Sequence, residues 1–294
     1  MTGPLRVGTR ASALALSQSG WAAEQISSEV ELVHISTRGD RDQTSPLTQI
    51  GGTGVFVSAV REALLTGEVD MVVHSLKDLP TAAPEGITLA AVPPREDPSD
   101  ALLARDGLTL AELPDGASVG TGSPRRAAQL RLARPDLDVQ PIRGNIDTRI
   151  AFMTDGRLDA VMLATAGLNR LGRDHLITER LDPRVFLPAP AQGALAVEVR
   201  EGDARWAEPL AALDDAPTRA AVVAERILLN RLEAGCSAPV AAFAVMDGDQ
   251  IILKAGAFGA DSHLIEEQTG TDPTALGEAV ARSLLARGAK ALLS

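Results

Sequence analysis

The sequence predicts an α/β protein with mainly parallel sheets, followed by a small α+β domain. Three observations lead there. Short β-branched and apolar runs alternate with segments of helical period through the first two-thirds of the chain, the signature of strand–helix–strand units. Two proline-rich stretches, VPPREDPSD at 92–100 and FLPAPAQG at 186–193, bracket a self-contained block and read as a pair of interdomain crossings. After them the order changes to strand, long helix, hairpin and helix.

The elements follow in order. LRVGT is a strand, with a helix from about Ser12; ELVHIST is a strand followed by a long loop, and VFVSAVREALLTG is a helix. DMVVHSL is a buried strand, ASVGTG a strand leading into the helix PRRAAQLRLA, and DVQPIRG a strand leading into IDTRIAFMTDG. DAVMLAT is a strand with a helix after it. GALAVEVR is another strand, and APTRAAVVAERILLNRLE is a long helix. VAAFAVMDGDQIILKAGAF is a hairpin turned at Asp-Gly, and a last helix runs from about Pro273 to Arg287. In such α/β sheets, ligands sit where the carboxyl ends of strands lead into helices.

Composition narrows the function. The 294 residues hold one cysteine, which excludes an internal disulfide and a thiolate-rich metal site and fits a reducing compartment. MTGPLRVGTRAS has no apolar signal core, and no run is long enough to span a membrane; the expected location is the cytoplasm. A net charge of −11 and 2% aromatic residues without a tyrosine argue against nucleic-acid binding and base stacking. No spacing of the four histidines matches a metal motif, so no metal is expected. His34 and His74 lie in apolar strands and read as core or hydrogen-bonded residues, His175 and His263 as surface.

The arginines form a pattern. Arg10, Arg125, Arg126, Arg143 and Arg149 fall at three strand-to-helix junctions, GTRAS, GTGSPRRA and RGNIDTR. In the second, Ser123 is an N-cap with Pro124 in the first helical position, yet two cations follow in the first turn, where the helix dipole disfavours them. A local rule broken repeatedly in one region marks a site. Arginine forks and helix N-terminal amides suit carboxylate or phosphate. Because GGTGVF at 51–56 lacks the ending of a phosphate loop, a polycarboxylate ligand is favoured.

Two further features stand out in a chain with only three lysines. DMVVHSLKDLP runs a strand out into Lys77 and Asp78, stopped by Pro80; strand neighbours face opposite ways, so the two do not simply neutralise each other. Asp78 among arginines stays ionised and suits stabilising a cation or moving a proton. Cys236 follows Gly235, a natural residue after a helix end, and a Gly/Ser turn leaves its thiol approachable. It reads as an attachment point more than as a hydrolytic nucleophile.

Taken together these stretches resemble the porphobilinogen deaminase (hydroxymethylbilane synthase) family: RVGTRASALAL, HSLKDLP, VGTGSPRRAAQL, IRGNIDTR, AGLNRL, PAQGALAVE and LEAGCSAPV, in family order across most of the chain. The resemblance implies two lobes like those of a periplasmic binding protein with the site between them, and a third domain carrying the cysteine. Its boundaries here are 1–93 with 194–212, 99–188, and 216–294. It implies a dipyrromethane cofactor, built from the enzyme's own substrate and joined to Cys236 by a thioether, and contacted by Lys77, Asp78, Ser123, Arg125, Arg126, Arg143 and Gly144. Arg10, Ser12, Arg143, Arg149, Arg170 and Gln192 would hold the carboxylates of porphobilinogen. Asp78 would be catalytic, assisting loss of ammonia and attack by the terminal pyrrole. Four additions and a hydrolysis would release hydroxymethylbilane. The loop from about Arg38 to Gly54 is expected to be a lid, in which Gln49 and Thr53 stand where family members often have lysine. A monomer is expected. Two rival readings remain: a binding protein without chemistry, which has no need of Cys236 or Asp78, and a pyridoxal-phosphate enzyme with Lys77 as its Schiff base.

Overall fold

The computed structural model describes residues 3–36, 54–82, 84–235, 238–260 and 262–293. Residues 38–53 of the expected lid, with Gln49 and Thr53, and Cys236 lie outside the described residues. The elements begin with β1 (Leu5–Thr9), α1 (Ala13–Glu24), β2 (Val30–His34), α2 (Gly54–Leu65), β3 (Met71–Ser75), β4 (Ile87–Ala91) and β5 (Asp100–Ala104). Next come β6 (Ser118–Thr121), α3 (Pro124–Ala133), β7 (Asp138–Pro141), α4 (Ile146–Thr154), β8 (Ala160–Ala164), α5 (Thr165–Arg170) and β9 (Glu179–Arg180). The chain ends with β10 (Leu195–Arg200), α6 (Ala207–Leu213), α7 (Ala216–Arg231), β11 (Val240–Asp247), β12 (Gln250–Phe258), β13 (His263–Gly270), α8 (Pro273–Ala286) and α9 (Ala289–Leu292).

The chain divides into two compact units, one of Met1–Arg95 with Ala194–Arg219, the other of Glu96–Gly193 with Ala220–Ser294. The first holds a five-stranded sheet in the order β2-β1-β3-β10-β4. Strands β2, β1 and β3 are parallel; β10 enters antiparallel between β3 and β4. One face packs Leu5, Val7, Met71 and Val73 against Ala22 and Ala23 of α1 and Leu210 of α6. The other packs Val69 and Val72 against Val60, Ala63 and Leu64 of α2. Gly8 is required between the layers, because a Cβ there would lie 3.1 Å from side-chain carbons of both Val69 and Val72. His34 is exposed, contrary to its reading as a core residue: β2 is an edge strand with one face open.

The second unit contains the sheet β7-β6-β8-β5-β9 and the three-stranded sheet β11-β12-β13. Strands β7, β6 and β8 are parallel, whereas β5 runs antiparallel to β8 and β9. Both large sheets are therefore mixed, each with four strands running one way and a single strand, β10 or β5, running against them. Every residue of β5 is buried, as expected for a strand covered on both faces. Leu102, Leu130 and Met162 are fully buried in its core, each worth about 1.5–3 kcal/mol. The small sheet buries Ala242, Leu253 and Ala255 against Leu228 of α7 and Val280 and Leu284 of α8. Its opposite face meets α3 and the 187–193 segment through Phe243, Phe258, Ala128 and Leu187. The hairpin turns at Gly248–Asp249, with Asp247 paired to Gln250 and Gly248 at φ +59°, the left-handed conformation that glycine adopts without penalty.

Candidate active site

In the first unit, the carboxyl ends of the adjacent parallel strands β1 and β3 carry Arg10, Ser12, Lys77 and Asp78. Ser12 is the N-cap of α1: its backbone is extended and its Oγ accepts from Ala15 N at 3.3 Å. Arg10, half-buried, precedes it. Strand β3 ends at Ser75, and residues 76–78 form a 3₁₀ turn, so Lys77 and Asp78 do not continue the strand as the sequence pattern indicated. Leu76 and Leu79 are buried and pin the turn, and Leu76 N donates to Ala194 O at 3.0 Å. At three residues per turn, successive side chains still diverge. Lys77 is left half-buried and Asp78 exposed.

A cavity of about 250 Å³ adjoins this edge, lined by Thr9, Arg10, Ser12, Gln18, His74, Ser75 and Asp78 above the apolar Val57, Val60 and Val73. Its polar wall is braced from behind. Gln18 Nε2 donates to Ser75 Oγ at 2.9 Å. Glu198 of β10, buried, accepts both nitrogens of the Arg61 fork at 2.9 and 2.6 Å, and His74 Nε2 lies 3.4 Å from the same carboxylate. Burial alone would raise the Glu198 pKa, but Arg61 and His74 prevail and hold it at about 2. His74 thus borders the cavity while Glu198 stays ionised beneath it.

In the second unit, three parallel strands, β6, β7 and β8, deliver the remaining arginines to one sheet edge. At the end of β6, Ser123 caps α3, its Oγ accepting from Arg126 N at 3.4 Å, with Pro124 in the first turn. Arg125 and Arg126 do not lie open at this junction: they are 3% and 5% exposed. Both pair with Asp100 at the start of β5, which has no exposed surface. Arg125 Nη1 is 2.7 Å from Asp100 Oδ2 and also donates to Leu187 O; Arg126 Nε donates to Asp100 Oδ1 at 2.8 Å. Burial pushes the Asp100 pKa up, but the two guanidinium charges outweigh it and leave it below the ordinary carboxylate range. Two cations on one anion give the trio a formal charge of +1. This is how the fold tolerates arginine in the first turn of a helix. Arg125 Nε, buried, has no hydrogen-bond partner among the described residues.

Beyond β7, Arg143 is exposed and Gly144 adopts φ +109°, where a Cβ would also strike Thr148 at 2.6 Å. Asn145 then caps α4 through Thr148 N at 2.9 Å. Arg149 of α4 folds back, with Nε donating to Gly144 O at 2.8 Å. Its Nη2 lies 3.7 Å from where a Cβ on Gly122 would sit, and that Cβ would be 2.6 Å from Ile142 O; a glycine at 122 keeps this cradle open. After β8, Arg170 closes α5 and donates from Nη2 to Gly193 O at 2.7 Å. Burial lowers its pKa against the pull of Glu96. Gln192, 1% exposed, donates to Pro98 O and Asp100 Oδ1, both at 2.8 Å, and accepts from Arg126 Nη2 at 3.3 Å.

Each unit thus offers one polar strand edge. In the first it carries an exposed carboxylate beside a cavity, in the second arginines around helix N-termini, which suit multiple carboxylates. Sequence reasoning missed Asp100 and Glu198. The available signal was the need of paired arginines for a counter-charge; nothing local said which acid supplies it. Among the described residues no group of three metal-ligating side chains occurs, and no helix is long and apolar enough to cross a membrane.

Residues 5–208 match the family profile described as porphobilinogen deaminase, dipyromethane cofactor binding domain, and residues 219–286 that of the porphobilinogen deaminase C-terminal domain. The chain is 52% identical to the porphobilinogen deaminase of Nocardia farcinica, over 99% of this chain and 88% of that protein. It is 51% identical to that of Thermobifida fusca, over 100% and 97%, and 57% identical to that of Mycobacterium tuberculosis, over 82% and 78%. Among solved structures, a periplasmic substrate-binding protein of an ABC transporter from Coxiella burnetii is 16% identical, covering 76% of this chain and 96% of that one with a TM-score of 0.43, a loose likeness of chain trace.

Proposed function

The chain belongs to the porphobilinogen deaminase family, and from that premise we propose how its residues carry the reaction. The protein is a transferase of tetrapyrrole biosynthesis that uses a dipyrromethane cofactor and joins porphobilinogen units, with loss of ammonia, into hydroxymethylbilane. Each addition forms one carbon–carbon bond at the former aminomethyl carbon, breaks that carbon's bond to nitrogen so that ammonia leaves, and releases a proton from the terminal pyrrole carbon that attacked.

The residues fit such a cofactor. Dipyrromethane is an oligo-carboxylate with pyrrole N–H donors. The second unit's arginine edge, with its formal +1 trio and the cradle at Gly122, matches the carboxylates; the exposed Asp78 carboxylate matches the N–H groups. The cofactor, when bound, supplies the pyrrole carbon on which the chain is built. Its anchor is Cys236, the sole thiol of the chain. Arg143, Arg149 and Arg170 take up carboxylates with support from Ser123 and Gly144, and Arg10, Ser12 and Lys77 do the same at the first unit's edge. Arg125, Arg126 and Gln192 act from below, keeping the arginine edge positive and in register. Asp78 accepts the pyrrole N–H, stabilises the positive charge left as ammonia departs, and handles the proton released after bond formation.

The observation that carries this assignment is the exposed Asp78 on a turn pinned by Leu76 and Leu79, at the rim of the first unit's cavity. The test is turnover of porphobilinogen by Asp78→Asn: kcat falls about 10²–10³-fold with KM little changed, the loss expected for one preorganised electrostatic group. Turnover near wild type would refute it. The separate apolar cores around β1, around β5 and between α7 and β12 support three domains, 1–93 with 194–212, 99–188, and 216–294. A monomeric, cytoplasmic enzyme without nucleic-acid or membrane partners agrees with the acidic charge of −11 and the single cysteine.

A further inference from the structure

Segment 187–193 of the second unit is held at almost every residue. Leu187 N donates to Gln129 Oε1 at 2.8 Å, and its carbonyl accepts from Arg125 and Gln129. Pro188 O accepts from Ala242 N at 3.0 Å. Gln192 bridges Asp100 and Arg126, and Gly193 O takes the Arg170 guanidinium. In the middle stands Ala191, fully buried at φ +62°, a left-handed conformation that alanine rarely adopts.

Ala191 N–H donates to Glu225 Oε2 at 2.5 Å, and the other oxygen, Oε1, accepts from Ala244 N of β11 at 2.7 Å. Glu225 has no exposed surface and sits on α7, the helix that leads toward Cys236. A buried carboxylate bridging two backbone amides is a costly device for fixing a loop that apolar packing alone could cover. Its product here is a defined φ at 191, and with it the direction in which Gln192 and Gly193 leave.

We propose that Glu225 is a positioning residue for substrate binding: by holding Ala191 in its left-handed conformation it sets Gln192 under Arg126 and Gly193 O against Arg170. It also ties that arginine edge to α7, the helix that precedes Cys236 in the chain. The proposal rests on the reading of the second unit's arginines as carboxylate holders. The Asp78 turn has its own supports, the buried Leu76 and Leu79 and the Leu195–Ser75 pairing of β10 with β3. Loss of Glu225 therefore moves KM more than kcat.

The test uses holoenzyme whose cofactor loading is verified by intact mass, with porphobilinogen as the probe. Glu225→Gln keeps the shape but turns one acceptor into a donor facing an N–H. KM rises about tenfold, equivalent to ~1.4 kcal/mol, with kcat within about threefold of wild type. Adding Ala191→Gly, which adopts positive φ freely, restores KM toward wild type. Unchanged KM in Glu225→Gln would overturn the proposal; so would a parallel fall of kcat and folded fraction that Ala191→Gly does not rescue, the mark of a merely structural group. Should Glu225→Gln fail to accumulate as folded protein, Glu225→Asp, one methylene short of Ala191, is measured in its place with the same expectations. Arg143→Ala is the control: if its KM rises while that of Glu225→Gln does not, the positioning role fails and the carboxylate-holding reading stands. If neither KM moves, both fail.

Discussion

Replacing Asp100 by asparagine tests the buried trio at the centre of the second unit. Asp100 is fully buried and is the counter-charge to Arg125 and Arg126 at 2.7–2.8 Å, besides accepting from Gln192. Asparagine keeps the volume and removes the charge, leaving two guanidinium groups, 3% and 5% exposed, without their shared anion. Breaking a buried pair in this way costs about 3–5 kcal/mol. Both tryptophans, Trp21 and Trp206, lie in the first unit, so fluorescence does not report the damage. Native-state hydrogen exchange of the β5 amides, Ala101 to Leu103, does. Their protection falls about a thousandfold, ~4 kcal/mol, while fluorescence-detected unfolding of the first unit moves little. The triple replacement Asp100→Leu, Arg125→Met, Arg126→Met loses less, because no charge is orphaned. A change in β5 protection of under tenfold in Asp100→Asn, or a triple variant worse than the single one, would show that Asp100 is not the counter-charge that holds this core.

Three more outcomes follow from the same geometry. Gly122→Ala places a Cβ 2.6 Å from Ile142 O and close to Arg149; it costs about 1–3 kcal/mol of stability and raises KM, and a neutral effect in urea unfolding and kinetics would contradict the cradle. Arg143→Ala, an exposed side chain at the β7–α4 junction, leaves stability within about 0.5 kcal/mol but weakens retention of elongation intermediates on native gels, whereas unchanged retention would remove it from the carboxylate set. The folded pKa of Glu198, about 2 against an ordinary 4.5, lies below its unfolded value. Its contribution, ~3 kcal/mol from that difference, is therefore complete above about pH 5 and is lost as pH falls toward 2. Arg61→Met flattens this part of the acid-unfolding curve, and an identical acid limb in wild type and variant would exclude the assignment.

Local chemistry made much of the architecture legible. Ser123 reads as an N-cap because a hydroxyl just before a helical period satisfies orphan amides, and it does so; Ser12, read only as the start of a helix, caps α1 in the same way. The Asp-Gly hairpin was equally local, whereas the positive φ of Gly144 had no reading in the sequence. What the sequence could not disclose was long-range pairing. Strands β5 and β10 run antiparallel to β8 and β3, and apolar composition carries no direction. Asp100 looks like any acid in a proline-rich loop until the sheet brings it under α3, so the burial of Arg125 and Arg126 was invisible too. Lys77 and Asp78 looked like the last residues of a strand, because a single 3₁₀ turn has no period of its own to read.

Cys236 is the covalent anchor proposed for dipyrromethane, and denaturing intact-mass measurement of the purified protein beside Cys236→Ser tests that role most directly. The wild-type chain carries an added mass of two linked pyrrole units, stable to denaturation and absent from the variant. A wild-type chain that stays unmodified after incubation with porphobilinogen, or an adduct that persists in Cys236→Ser, would contradict it.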